Sequence, residues 1–281
     1  MIMKIAIASG KGGTGKTTIA TNLAYYLAHF TDRNVTLLDC DVEEPNCHLF
    51  LQPKWGNVYP VSVPVPEVDT SKCNGCGICS DLCQFSAIVC INNNTLTFPA
   101  LCHGCGLCTR VCAPGAIKEV PREVGVVEMG TAYGINFVHG KLRIGEAMSP
   151  PLIKEVKKKL IPSGVTIIDS PPGTSCPVIE AIKGTDFVLL VTEPTPFGLN
   201  DLQLAVEMVR EVGIPFAVII NRADVGDDRV KEYCAKEGIL ILMEIPEDRE
   251  IAKTYSTGGI VLKEIPAYSE KFSFLAGALL S

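Results

Sequence analysis

The chain has 281 residues, 47% of them hydrophobic and 20% charged, enough for one large globular domain or two modest ones with a substantial core. A formal net charge of −6 without any long basic block argues against nucleic acid as a main partner. No apolar run approaches the roughly 18 residues of a membrane span, and Met1-Ile2-Met3-Lys4 leads straight into a strand pattern, so neither membrane nor signal peptide is expected and the chain reads as cytoplasmic.

Lys4-Ile5-Ala6-Ile7-Ala8 is an apolar run of buried-strand type, and Thr18 to Ala28 has helical periodicity. Between them, Ser9 to Thr18 reads S-G-K-G-G-T-G-K-T-T. Gly10, Gly15, Lys16 and Thr17 satisfy G-x-x-x-x-G-K-S/T, the loop whose backbone N–H groups and helix N-terminus surround a triphosphate. Gly10, Gly12, Gly13, Thr14, Gly15, Lys16, Thr17 and Thr18 are the expected nucleotide contacts, with Lys16 on the β and γ oxygens and Thr17 on Mg²⁺. The second lysine, Lys11, makes the loop more particular: K-G-G-T-G-K-T-T resembles the deviant Walker A of the MinD/ParA superfamily, whose relatives include the nitrogenase iron protein and Mrp-type iron–sulfur carriers. The resemblance implies ATP with Mg, an ATP-dependent homodimer or a pairing with a paralogous ATPase, and a Lys11 that reaches the partner's nucleotide as an arginine finger does.

Asn34 to Asp39 reads as a second strand with an acidic exit. Leu37-Leu38-Asp39-Cys40-Asp41 resembles the superfamily's second acidic motif, which assigns Asp41 to the attacking water and Asp39 to the metal and loop; for Asp39 a carboxylate that only caps the turn is the alternative. Glu43 to Asn46 is expected to be a switch loop, and Cys40 and Cys47 to be buried small hydrophobes.

From Val61 the composition changes. Val61-Ser62-Val63-Pro64-Val65-Pro66 reads as an extended connector. An internal repeat follows. Cys73, Cys76, Cys79 and Cys83, then Cys102, Cys105, Cys108 and Cys112, form two copies of C-x2-C-x2-C-x3-C offset by 29 residues. This is the bacterial two-cluster ferredoxin spacing, in which the fourth cysteine of each copy ligates the other cluster. One 4Fe–4S cluster is therefore expected on Cys73, Cys76, Cys79 and Cys112, and a second on Cys102, Cys105, Cys108 and Cys83. The proline that usually follows the fourth cysteine is missing in both copies: Gln84 follows Cys83, and Ala113 stands between Cys112 and Pro114. Structural zinc fits the doubled pattern poorly. Ile88 to Phe98 reads as a hairpin around an Asn-rich turn, with Cys90 a packing residue.

Val124 to Met129 has strand character, and a helix is expected from about Pro150 through Leu160, with Lys154 to Lys159 on its solvated face. Val165-Thr166-Ile167-Ile168-Asp169 has the form of a Walker B strand, and the D-S-P-P-G-T that begins at Asp169 resembles the Mrp branch; Asp169 is expected to hold Mg²⁺ through water and Gly173 to sense the γ-phosphate. Cys176 lies in the same switch loop, where the resemblance to the nitrogenase iron protein raises a bridging cluster as an alternative to an ordinary thiol. Strands at 187–192, 216–221 and 239–243 alternate with helices at 200–212 and 228–237. Asn221 and Pro246 fall where the family implies the base pocket, although N-x-x-D from Asn221 to Asp224 also permits guanine.

The fold expected is a doubly wound, mostly parallel α/β sheet of MinD type, divided as 1–60 and 122–281 around an inserted two-cluster ferredoxin domain at 61–121. The combination resembles the MinD-like ATPases with inserted ferredoxin found in anaerobic prokaryotes. Two functions are carried forward: an ATP-gated electron carrier serving an unidentified redox partner, and an assembly or carrier ATPase that hands a cluster to an acceptor. Eight cysteines that saturate two cubanes favour the first.

Overall fold

The computed structural model describes residues 2–159 and 164–280. Eleven strands are present among them: β1 (Ile2–Ala8), β2 (Val35–Asp39), β3 (Lys54–Val68), β4 (Ile88–Ile91), β5 (Asn94–Thr97), β6 (Ile117–Ala132), β7 (Ile135–Leu142), β8 (Gly164–Asp169), β9 (Phe187–Thr192), β10 (Phe216–Asn221) and β11 (Ile241–Ile245). Nine form one sheet in the order β11-β10-β9-β1-β8-β2-β7-β6-β3, while β4 and β5 form a separate hairpin. From β11 to β7 every pairing is parallel; β6 runs antiparallel to both β7 and β3.

The central strands are apolar on both faces because both faces are covered by helices. Ala6, Ala8, Leu38 and Ile168 point to one core, beneath the helices Pro150–Lys157, Cys176–Ile182, Pro196–Val212 and Arg229–Lys236. Ile5, Ile7, Leu37 and Ile167 point to the other, beneath Lys16–Phe30 and Ser269–Leu280. The period-two alternation along each strand divides the hydrophobic residues between two layers, which is the doubly wound architecture.

Four features depart from the sequence reading. The apolar stretch around Val124–Met129 belongs to a strand of 16 residues, and the proline-rich stretch belongs to one of 15, together a long two-stranded ribbon. Pro60, Pro64 and Pro66 are accommodated because β3 lies at the sheet edge, where a missing N–H costs no ladder bond. β7 was not anticipated, and it inserts between β2 and β6. The expected end of a helix at Leu160 lies outside the described residues; the observed helix is Pro150–Lys157. The last strand sits two residues further along than its apolar run suggested, at Ile241–Ile245, and its ladder with β10 shifts register between Val218 and Ile219.

The ribbon carries the cysteine repeat away from the main sheet. Between its strands lie the short helices Ile78–Asp81 and Leu107–Val111 and the β4–β5 hairpin, whose turn residues Asn92 and Asn93 both take positive φ. Asparagine tolerates that conformation better than other residues with a Cβ, so the Asn run makes the turn.

Candidate functional site: a nucleotide cleft and two cysteine cavities

The glycine loop joins the carboxyl end of β1 to the helix that starts at Lys16, and Gly15 caps that helix at φ 96°. The cleft around the helix N-terminus has a volume of about 410 Å³. Gly12, Gly13, Gly15, Lys16, Thr17, Thr18, Asp41, Asn221 and Pro246 all line it, as the sequence led us to expect. Glu44 and Asn46 of the expected switch loop also line it, as does Arg222 beside Asn221; Tyr255, from a late helix, lines it too, and no spacing or motif marks it.

The remaining expected residues sit just behind or beside the cleft wall. Asp39 and Asp169 are directly opposed on β2 and β8, both at the carboxyl ends of their strands and both buried. Thr17 Oγ1 donates to Asp169 Oδ2 at 2.7 Å. Asp39 accepts from the backbone N–H of Asp41 at 3.1 Å and from that of Cys47 at 3.0 Å. Gly173 donates its N–H to Ser9 O at 3.0 Å, while the neighbouring Pro172 forms the cleft wall. Thr14 O accepts from Asn221 Nδ2 at 3.0 Å, which ties the base end of the cleft to the phosphate loop. Asp224 Oδ1 is occupied by the Glu247 N–H at 2.6 Å.

Lys11 points elsewhere. Its Nζ lies 3.4 Å from Glu193 Oε2, and the other oxygen of Glu193 accepts from Arg222 at 3.0 Å. In this single chain the second lysine of the loop is held beside its own nucleotide cleft.

Three carboxylates face one ammonium at the centre. Burial lowers the pKa of Lys16, opposed by the charges of Asp169, Asp41 and Asp39. Burial raises Asp41 to about 7, with the Asp169 charge adding to the shift and Lys16 opposing it. Asp39 is pushed well up by burial and then by the Asp169 charge. Asp169 is raised by burial, against Lys16 and the hydrogen bonds from Thr17 and Cys47. Such surplus negative charge in a buried site is relieved by a cation. Asp169 Oδ1 is buried without a hydrogen-bond partner, while the other oxygen of the same carboxylate takes the Thr17 hydroxyl. A hard oxygen set with a spare acceptor fits a Mg²⁺ ion that keeps its waters.

One contact was missed altogether. Cys47, read from the sequence as packing, is fully buried, but its Sγ lies 3.3 Å from Asp169 Oδ2 and it groups with Asp39 and Asp169 tightly enough to be a potential ligand set. Burial, followed by the charges of Asp39 and Asp169, pushes the thiol pKa well up, so it stays a donor.

The cysteine repeat makes two cavities. Cys73, Cys76, Cys79 and Cys112 line one. Cys83, Cys102, Cys105 and Cys108 line the other, with Cys79 on its wall. Gly77 and Gly106 sit at matching places in the two copies with φ of 77° and 71°, turning each chain into its short helix. Backbone N–H groups approach the sulfurs: Gly104 N to Cys102 Sγ at 3.4 Å and Ala116 N to Cys112 Sγ at 3.2 Å. Burial raises the Cys83 thiol, but the N–H groups of Phe85, Ala87, Ile88 and Ser86 outweigh it and leave the pKa lowered. The sulfur-rich donor sets, with N–H groups aimed at sulfur, suit anionic thiolates. Cys90 is outside both sets, its Sγ 3.5 Å from Gly75 O, and Cys176 is exposed at the start of the helix Cys176–Ile182.

A strand, a glycine loop, a helix N-terminus and acidic residues at the ends of neighbouring parallel strands define a P-loop nucleotide-binding protein. Residues 5–261 match the model of the CobQ/CobB/MinD/ParA nucleotide binding domain, and the chain belongs to that family of P-loop NTPases. It is 36% identical over 224 residues to the uncharacterized protein MJ0578 of Methanocaldococcus jannaschii, with 79% of each chain covered. It is 26% identical over 300 residues to the iron–sulfur cluster carrier protein of Pyrococcus horikoshii, covering 99% of this chain and 85% of that one. The fold is that of the septum site-determining protein MinD of Pyrococcus horikoshii, solved with Mg-ADP, at TM-score 0.62 and 21% identity over 98% of this chain and 95% of that one. A ParA family ATPase from Chlorobium tepidum is similar at TM-score 0.60 and 17% identity, over 99% and 98% of the two chains. Among the described residues no helix is long and apolar enough to cross a membrane.

Proposed function

We propose that the protein is an ATP-hydrolysing iron–sulfur protein, in which a nucleotide switch in the main sheet controls two 4Fe–4S clusters held by an inserted module at 61–121. The observation that carries this reading is the distribution of the eight repeat cysteines. One cavity takes Cys73, Cys76 and Cys79 from the first copy and Cys112 from the second; the other takes Cys102, Cys105 and Cys108 from the second and Cys83 from the first, with Cys79 on the wall as well, which supports the cross-ligated pattern of two-cluster ferredoxins. Each cluster would supply one-electron redox chemistry there.

In the nucleotide site the chain's own groups divide the work. The loop N–H groups, the helix N-terminus and Lys16 bind and orient the triphosphate. Thr17, Asp169 and Asp39 hold the place of Mg²⁺, which would offset charge on the β and γ oxygens. Asp41, the one of the three carboxylates on the cleft wall, orients water for attack on the γ-phosphate. Asn221, with one amide N–H given to Thr14 O, offers its oxygen to a 6-amino group, which supports adenine. Lys11 leaves Glu193 to serve the nucleotide of a second copy or a paralogue.

A polar path links the switch loop to the ribbon. Ser149 Oγ donates to Glu43 Oε1 at 3.0 Å, and Glu146, three residues earlier, pairs with Arg122 on β6. The far end of β6 carries the cysteine module.

The load remains to be divided between two readings. Closed coordination by eight cysteines supports electron transfer to a redox partner; the relatives named iron–sulfur cluster carrier protein favour delivery of a cluster. Reconstituted protein whose clusters are first reduced with dithionite, then incubated with ATP and a chelator and offered an apo-acceptor and a redox acceptor in parallel, separates them. ATP-dependent reduction with iron retained supports electron transfer, and iron appearing in the apo-acceptor supports delivery. Zinc in place of iron in anaerobically prepared protein would overturn the cluster assignment itself.

A further inference from the structure

We propose that Cys47 is a positioning residue for nucleotide hydrolysis: its thiol orients Asp169, while its backbone N–H holds Asp39. The inference rests on the reading of the cleft as an ATPase site and adds a residue to which that reading gives no role.

The geometry is specific. Asp169 Oδ2 accepts from Thr17 Oγ1 at 2.7 Å and lies 3.3 Å from Cys47 Sγ, so two donors converge on one oxygen. Its other oxygen, Oδ1, is buried and has no partner. Two donors on Oδ2 fix the carboxylate plane and leave Oδ1 as the free acceptor, the arrangement needed to receive a water on a metal. Removing the thiol leaves one donor and a carboxylate that can rotate.

The same residue spans both acidic strands. Cys47 starts the helix Cys47–Leu51, which directly follows the loop carrying Asp41, Glu44 and Asn46 along the cleft. Its N–H bonds Asp39 on β2 and its Sγ contacts Asp169 on β8, so the end of the loop is pinned across the two strands that flank the metal position. A displacement of Asp169 is thereby passed to the loop that bears Asp41.

A packing residue and a donor respond oppositely to substitution. Valine keeps apolar bulk and loses the donor; serine keeps a donor and loses bulk. The expected result is that Cys47→Val lowers kcat about fivefold to tenfold, the value of one ordinary hydrogen bond, since a thiol is a weak donor, and raises the half-saturating Mg²⁺ concentration. KM for ATP stays within about twofold, because the groups that bind the phosphates are untouched. Cys47→Ser retains kcat within about twofold to threefold of wild type. Thermal melting and binding of a fluorescent ATP analogue establish that each variant is folded. Equal kcat in Cys47→Val and wild type, or a Ser variant slower than a folded Val variant, overturns the proposal. A measurement independent of turnover is the infrared S–H stretch lost between wild type and Cys47→Ala. A band at the lower frequency of a hydrogen-bonded thiol is expected, and one at the free-thiol frequency refutes the contact. A wild-type protein that binds no MgATP and turns none over defeats the ATPase reading and this inference with it, whereas an active wild type with the reversed rank order defeats this inference alone.

Discussion

Gly10→Ala tests the packing of the phosphate loop against the helix Pro196–Val212. A Cβ built on Gly10 falls 2.1 Å from Asp201 O, 2.5 Å from Asp201 C and 2.8 Å from Asp201 Cβ. Tolerable contacts begin near 3.4 Å, so loop and helix must part by about 1.3 Å (3.4 − 2.1), and two of the obstructing atoms are backbone. Overpacking of this kind costs about 2 kcal/mol, which for a domain of this size lowers Tm by roughly 4–8 °C. Displacing the loop by about 1 Å also weakens the fit to the phosphates, by up to about 100-fold in turnover. Gly12→Ala is the control, because its Cβ meets nothing nearer than Pro172 Cβ at 4.0 Å. Calorimetry of both variants without nucleotide reads the stability part alone. A Gly10→Ala protein with unchanged Tm would refute the steric argument, as would a Gly12→Ala protein that loses as much.

Four other outcomes are expected. Burial and the Asp169 charge raise Asp41 to about 7 in the folded protein, above its unfolded value near 3.8. Its contribution to stability is therefore complete below the unfolded pKa and lost as pH rises through about 7; nucleotide-free and metal-free protein should melt lower at pH 8 than at pH 5, with the slope reduced in Asp41→Asn. Anaerobically reconstituted protein should hold about eight irons per chain, and Cys112→Ala should remove the cluster of Cys73, Cys76 and Cys79 while keeping that of Cys102, Cys105 and Cys108, read by iron content and electron paramagnetic resonance; loss of the other cluster would refute the crossed ligation. Glu193→Gln weakens the hold on Lys11 and should strengthen ATP-dependent dimerisation by about fivefold, roughly 1 kcal/mol, in sedimentation; no change would show that the intrachain pair does not compete with the dimer. Glu146→Ala strips the buried partner of Arg122 and should cost about 3 kcal/mol in denaturant unfolding, whereas an unchanged midpoint would show the pair to be idle.

The nucleotide loop was legible in the sequence because its chemistry is local. Gly15, Lys16 and Thr17 are consecutive, and the turn that exposes their N–H groups is specified by the residues that form it. The cysteine repeat was legible for the same reason: tight spacing presents three sulfurs of a copy to one place. The alternation of apolar strands and amphipathic helices likewise declared a doubly wound sheet. The ribbon was harder to see. Prolines argue against a strand, and only the position of β3 at a sheet edge, a property of the whole sheet, removes the objection. β7 follows β6 through a tight turn at Tyr133 and Gly134, and only its other neighbour, β2, comes from a distant part of the chain.

What the sequence determined by itself is a nucleotide-binding loop, a doubled cysteine repeat and the layered fold that holds the loop. Tertiary structure alone decided how residues from separate strands meet. It set Asp39 opposite Asp169, turned Lys11 onto Glu193 and put the Cys47 thiol against Asp169. A side chain's partner across 122 residues of chain depends on sheet order and strand alignment, which no local pattern encodes. The same thiol that composition marks as one more buried hydrophobe becomes, once β2 and β8 lie side by side, a donor to the carboxylate at the centre of the site.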